Sequence, residues 1–200
     1  MRDIKRIDLF CGALAEQWKR KPELRFWEIM NYVFDKAGDC YNFEEFEILK
    51  YIISVMDEQC GVAFADGLAY NTLYEKLMLY TFNEDNNCKI RYKSKNVSTK
   101  TNHPNTPAER RIDLFCNVLA EQWKRENDFR FGQLIIGVSE YILIRKKHYL
   151  DTNGREFSDV EILKYIVLFM DFVCNDKFNE NYYDAIYDQI EACIFWNQHL

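Results

Sequence analysis

The chain has 200 residues, of which 48% are hydrophobic and 16% aromatic, and its formal net charge is −6. This is ample apolar material for a core and excludes a disordered class. The 7 cysteines are odd in number and lack CxxC spacing, which argues against a disulfide framework and predicts reduced core thiols.

A first helix is predicted where Ile7, Phe10, Cys11, Leu14 and Trp18 fall at i, i+3, i+4, i+7 and i+11, one apolar stripe. A second begins near Pro22 and covers Leu24 to Lys36. A third carries Phe46, Leu49, Ile52, Ile53 and Met56, with Phe43 before it placed to staple onto Ile48. A weaker fourth carries Tyr70, Leu73, Tyr74 and Leu77.

The chain then says nearly the same thing again. Arg6-Ile7-Asp8-Leu9-Phe10-Cys11 returns as Arg111-Ile112-Asp113-Leu114-Phe115-Cys116, and Leu14 to Arg20 returns as Leu119 to Arg125, at an offset of 105. Glu47 to Ile52 returns as Glu161 to Ile166, and Met56-Asp57 with Cys60 as Met170-Asp171 with Cys174, at an offset of 114. The second copy thus holds an insertion of 114 − 105 = 9 residues, assigned to a longer second helix (Asn127 to Lys147) and the loop His148 to Phe157. Thr106-Pro107-Ala108-Glu109 and Ser158-Asp159-Val160-Glu161 are capping boxes opening the first and third helices of this copy, with Phe157 placed to staple onto Ile162. Tyr183, Ile186, Tyr187 and Ile190 mark its fourth helix. The expected fold is therefore all-α, two homologous lobes of about four helices each: a first repeat over 1–85, a basic linker over 86–105 and a second repeat over 106–200. Each lobe is expected to fold as its own cooperative unit around Trp18 or Trp123.

Charge follows the same division. Residues 1–85 hold 10 Lys+Arg against 16 Asp+Glu, residues 86–108 hold 5 against none, and residues 109–200 hold 11 against 16. Acidic lobes repel a phosphate backbone, so double-stranded nucleic acid is a poor partner for them. The basic middle, with Lys89, Arg91, Lys93, Lys95 and Lys100, reads first as a solvated linker and second as a contact for an acidic partner. No signal-like segment opens the chain and no apolar run approaches the roughly 18 residues needed to span a bilayer, so no membrane contact and a cytoplasmic location are expected.

Chemistry-bearing motifs are sparse. Asp151, Asn153 and Gly154 place glycine at the fourth position of a would-be calcium loop instead of the sixth, and read as a turn. His103, His148 and His199 have no partner at metal-ligand spacing. The repeated cysteines sit on apolar stripes and there is no glycine-rich phosphate loop. No metal, no cofactor and no catalysis are expected.

The polar residues kept in both copies carry more information: Asp8/Asp113, Glu16/Glu121, Gln17/Gln122, Lys19/Lys124, Arg20/Arg125, Arg25/Arg130, Lys50/Lys164 and Asp57/Asp171. Arg25 and Arg130 open the second helices, where a cation opposes the helix dipole and calls for a partner. Each is expected to bridge an acid of its own lobe, Asp8/Asp113 or Asp57/Asp171, and to cover the indole. A surface presented twice would otherwise bind a partner with avidity through Arg25, Arg130, Glu16, Glu121, Lys19 and Lys124, helped by Lys89, Arg91, Lys93 and Lys95.

Trp123, then Phe129-Arg130-Phe131-Gly132-Gln133-Leu134-Ile135, then Glu156-Phe157-Ser158-Asp159-Val160-Glu161 resembles a family of short, functionally uncharacterised bacterial and phage proteins with a Trp, LRFGQLI, aromatic-acidic pattern. The first repeat keeps Leu24-Arg25-Phe26 but has Trp27-Glu28 where Gly-Gln would stand. The resemblance covers about half of each lobe and implies a helical fold and a prokaryotic or phage setting, with no activity to carry over.

The sequence thus points to a non-catalytic protein-binding factor of bacterial or phage origin, such as an acidic inhibitor of a host defence nuclease, anti-CRISPR-like in action. The rival reading is a small-molecule or nucleotide binder whose inter-lobe pocket offers Arg25, Arg130 and the linker lysines to phosphates. Nucleic-acid binding through the linker ranks behind both, and enzymatic activity last.

Overall fold

The computed structural model describes residues 2–61, 73, 75, 77, 78, 106–145, 157–175 and 180–197, with the side chains of 180–183 and 194–197 outside that description. Among these residues the protein is all-helical. In chain order the helices are α1 (Lys5–Trp18), α2 (Phe26–Ala37), α3 (Glu45–Cys60), α4 (Pro107–Arg125), α5 (Phe131–Arg145), α6 (Asp159–Cys174) and α7 (Glu180–Asn197). Leu73, Glu75, Leu77 and Met78 are also helical, and Leu77 is fully buried; Tyr70 and Tyr74 lie outside the described residues. In α7, Tyr187 and Ile190 are buried as the sequence pattern requires.

Both expected capping boxes form. Thr106 and Ser158 accept from the Glu109 and Glu161 amides, while those glutamates reach back to the cap residues. Phe43 and Phe157 meet rings two turns into the helices they precede: Phe43 stacks on Tyr51 at 5.8 Å, and Phe157 meets Tyr165 edge-on at 6.1 Å.

The repeats do not keep separate cores. Buried side chains from α1, α2, α3, α4, α5 and α6 form one cluster, because α1 and α4 lie against each other and exchange aromatic rings. Phe10 of the first repeat meets Trp123 and Phe131 of the second, at 5.8 and 4.5 Å, while Phe115 meets Trp18 and Phe26 at 5.3 and 4.6 Å. Such reciprocal contacts are those of an isologous interface, here within one chain.

Two buried arginines complete the join. Arg6 is fully buried and pairs with fully buried Glu45; Arg111 pairs with Asp159 at 2.9 Å, and that carboxylate is only 1% exposed. Each guanidinium also donates across the repeat boundary, Arg6 to the Asn127 and Phe129 carbonyls and Arg111 to those of Pro22 and Leu24. Each carboxylate in turn accepts from the first amide of a helix in the other repeat: Asp159 from Phe26 at 2.8 Å and Glu45 from Phe131 at 3.2 Å. A carboxylate there satisfies an orphan donor and complements the helix dipole.

This arrangement corrects the expected start of the second helices. Residues 22–25 and 127–130 are held as turns, since their carbonyls are taken by Arg111 and Trp18 on one side and by Arg6 and Trp123 on the other. Helix then begins at Phe26 and Phe131. At Gly132 an added Cβ would lie 2.1 Å from the Cys40 carbonyl oxygen, so α5 crosses the Cys40 turn at glycine-only distance. The first repeat's Trp27, in the matching position, packs edge-on against Phe157 at 6.4 Å.

Candidate functional site

Of the polar residues kept in both repeats, Asp8, Glu16 and Lys19 with their counterparts Asp113, Glu121 and Lys124 lie on α1, with Lys19 its C-cap residue, and on α4, the two helices that form the seam. Lys19 bridges to Asp113 and Lys124 to Asp8, so the start of each helix is tied to the end of the other and the two run antiparallel. Above the seam lies a groove of about 410 Å³. Its floor is made of short side chains, Cys11, Gly12 and Ala15 from α1 and Cys116, Asn117 and Ala120 from α4, and its rim of Asp8, Glu16, Lys19 and Asp113. Glu16 and Glu121 are exposed and make no ion pair among the described residues. Four carboxylates (Asp8, Glu16, Asp113, Glu121) against two ammonium groups (Lys19, Lys124) leave the seam at 2 − 4 = −2.

Gly12 sits in the middle of α1, where glycine costs a helix roughly 0.5–1 kcal/mol relative to alanine. A Cβ added there would meet nothing within 4 Å. Packing therefore does not require this glycine, and its effect is to keep the groove deep. Cys11 and Cys116 are each 3% exposed. Burial first, then the neighbouring Asp8 carboxylate, pushes the Cys11 thiol up; burial and the nearby Cys11 do the same to Cys116. Thiols kept protonated are poor nucleophiles and poor metal ligands, and no group of three or more metal-binding side chains occurs among the described residues. The groove offers carboxylates to cations, over a floor that admits close approach.

The other candidates fall elsewhere. Arg130 pairs with Glu44 of the first repeat at 2.8 Å and donates to the Asn42 carbonyl, so its acid comes from the other repeat. Glu44 also takes Arg2 at 2.7 Å. Arg25 caps α2, its amide bonded to Glu28 at 2.6 Å, within electrostatic reach of Asp159. The acids expected to hold these arginines are engaged otherwise: Asp8 and Asp113 by the seam lysines, Asp57 by Arg20 and Asp171 by Arg125, each at 2.7 Å. Stacking over the indoles is done by Arg6 and Arg111, at 5.0 Å from the Trp123 centroid and 5.4 Å from that of Trp18. Neither Arg25 nor Arg130 lines the groove. Lys89, Arg91, Lys93, Lys95 and Lys100 of the linker, the three histidines and the Asp151–Gly154 turn lie outside the described residues.

Sequence reasoning passed over Arg6/Arg111 and Glu45/Asp159. The signal was present, since Arg6 and Arg111 open the repeated six-residue block, and Glu45 and Asp159 are acids at the 114 offset. Among the described residues no helix is long and apolar enough to cross a membrane. Neither a family model, nor a curated protein, nor a solved structure matches the chain.

Proposed function

We propose that the protein is a non-catalytic binding factor whose α1/α4 groove receives a basic segment of another protein. The observation that carries this reading is Gly12: a helix-weakening residue that packing does not demand, at the floor of a groove lined by Glu16, with exposed Glu121 next in the chain to the lining residue Ala120. Sites that give up stability for access are typical of function. Lysine or arginine side chains from a partner would meet those carboxylates, and acid-to-base steering would speed their encounter. A nuclease surface that binds nucleic acid is basic, and an acidic occupant would block it; the bacterial or phage setting comes from the family resemblance alone. The nucleotide-pocket rival is less well supported, because the groove between the repeats is rimmed by carboxylates and excludes Arg25 and Arg130 from its lining.

Immobilised protein should retain a basic protein from a bacterial lysate at low salt and release it as salt rises past physiological strength, where screening reaches about 8 Å. The Glu16→Lys/Glu121→Lys variant should retain at least tenfold less. Equal retention by both, or a phosphorylated small molecule released from the purified chain on denaturation, would contradict the proposal.

A further inference from the structure

Positions that correspond between the repeats differ sharply on one outer face. In the first repeat, Lys36 of α2 donates to Ser54 at 3.1 Å and pairs with Glu58, both on α3, a polar surface open to water. At the offsets of 105 and 114 the second repeat has Tyr141, Leu168 and Phe172 in those three places. Phe172 is 71% exposed, Ile144 70% and Leu168 43%, and Tyr141 touches Phe172 with ring centroids 5.9 Å apart. Leu168 and Phe172 are one turn apart on α6, as are Tyr141 and Ile144 to within a residue on α5, so the four form one apolar patch over the α5/α6 seam.

The first repeat serves as an internal control. It builds the same pair of helices with a lysine, a serine and a glutamate here, so the helix pair does not need an apolar outer face. Exposed clusters of this kind mark contact surfaces.

We propose that this patch is an interface between two copies of the chain, related by a two-fold axis. The charges around it select that occupant. The chain as a whole is acidic at −6, which opposes self-association over most of its surface. The rim of the patch instead carries both signs: Glu140 and Arg145 on α5 are exposed, with Arg145 stacked 5.1 Å over Tyr141. A two-fold axis can set Glu140 of one copy against Arg145 of the other, the self-complementarity that an isologous contact requires. The apolar centre then closes against its own counterpart, with Phe172 as the aromatic anchor. This surface is distinct from the α1/α4 groove, and its use does not depend on what the groove binds.

The test is sedimentation velocity of the full chain at concentrations from about 1 to 100 μM, beside a Tyr141→Lys/Leu168→Ser/Phe172→Glu variant that installs the first repeat's own trio. Wild type should sediment as a dimer at the upper end, and the variant should remain a monomer with an unchanged helical circular dichroism spectrum. The single Phe172→Glu change should weaken the dimer at least tenfold even if the triple variant fails to fold. A wild type that stays monomeric throughout would overturn the proposal, leaving the patch to another protein or to the chain's own residues 146–156. So would a dimer that persists in Phe172→Glu.

Discussion

The Arg6 guanidinium of the first repeat stands 5.0 Å from the ring centroid of Trp123 in the second, and the Trp123 indole N–H donates to the same Phe129 carbonyl that accepts from Arg6. Arg111 and Trp18 share the Leu24 carbonyl in the same way. Cation, indole and turn carbonyl therefore act as one unit on each side of the join, and the groove sits on the seam that these units hold closed.

Removing one member of a buried ion pair leaves a buried charge uncompensated, which costs about 3–5 kcal/mol, whereas replacing both by apolar groups can be nearly neutral. Arg6→Met and Glu45→Leu should each lower the denaturant midpoint substantially, and the double variant should recover most of the loss. Additive losses in the double variant would show that Arg6 acts mainly through the Asn127 and Phe129 carbonyls.

Trp18 and Trp123 are both fully buried in one shared core. Truncation to alanine should cost about 3–5 kcal/mol at either site. Because the rings of the repeats interlock, each variant should unfold in a single transition seen alike by circular dichroism and by fluorescence of the remaining tryptophans. Two separate transitions, with only one displaced, would mean that the repeats unfold independently.

Burial holds the Glu45 and Asp159 carboxyls above their ordinary values, against the opposing pull of Arg6 and Arg111. A carboxyl that binds its proton more tightly when folded stabilises the fold fully below its unfolded value of about 4 and loses that contribution as pH rises through the folded value. Stability should therefore fall as pH climbs through this window, and the slope should be shallower in Glu45→Gln/Asp159→Asn. Urea midpoints taken at half-unit pH steps would show it; a steeper slope in the double variant would reverse the sign argued here.

Cys11 and Cys116 should resist alkylation in the folded chain, while the partly exposed Cys60 and Cys174, at the last turns of α3 and α6, should react before them. Peptide mapping after brief iodoacetamide treatment reads the order. Early modification of Cys11 would mean that the groove floor opens.

Much of the fold was legible in the sequence, because periodicity and capping are local. The stripe through Ile7, Phe10 and Trp18, and the caps at Thr106 and Ser158, follow from residues within a few turns of one another. What the stripe touches does not. Phe10 reads as apolar whether it packs within its own repeat or against Trp123, and only the three-dimensional crossing of α1 and α4 decides. Arg6 was opaque for another reason: an arginine beside an apolar stripe looks solvated, and its burial depends on Glu45 and two carbonyls more than 120 residues away. At the groove, Glu16, Lys19, Glu121 and Lys124 were visible as repeated polar residues, but Gly12 was not, since its first-repeat position answers to Asn117 and breaks the repeat.

Gly12→Ala should raise stability by about 0.5–1 kcal/mol, because the added methyl gains helix propensity and meets no neighbour. Thermal unfolding would register it. A loss of stability would show that the glycine is needed by the fold and remove the main support for the groove as a binding site.

The most direct test of the groove places a photo-crosslinking phenylalanine derivative at Gly12, at Asn117 and, as a control, at exposed Asp184 on α7, each in the full chain irradiated in a bacterial lysate. The expected result is one basic protein cross-linked from Gly12 and Asn117, absent from Asp184, and lost when Glu16→Gln and Glu121→Gln are added. No adduct from either groove position, or adducts that appear equally from Asp184, would contradict the claim that the α1/α4 groove receives a basic partner.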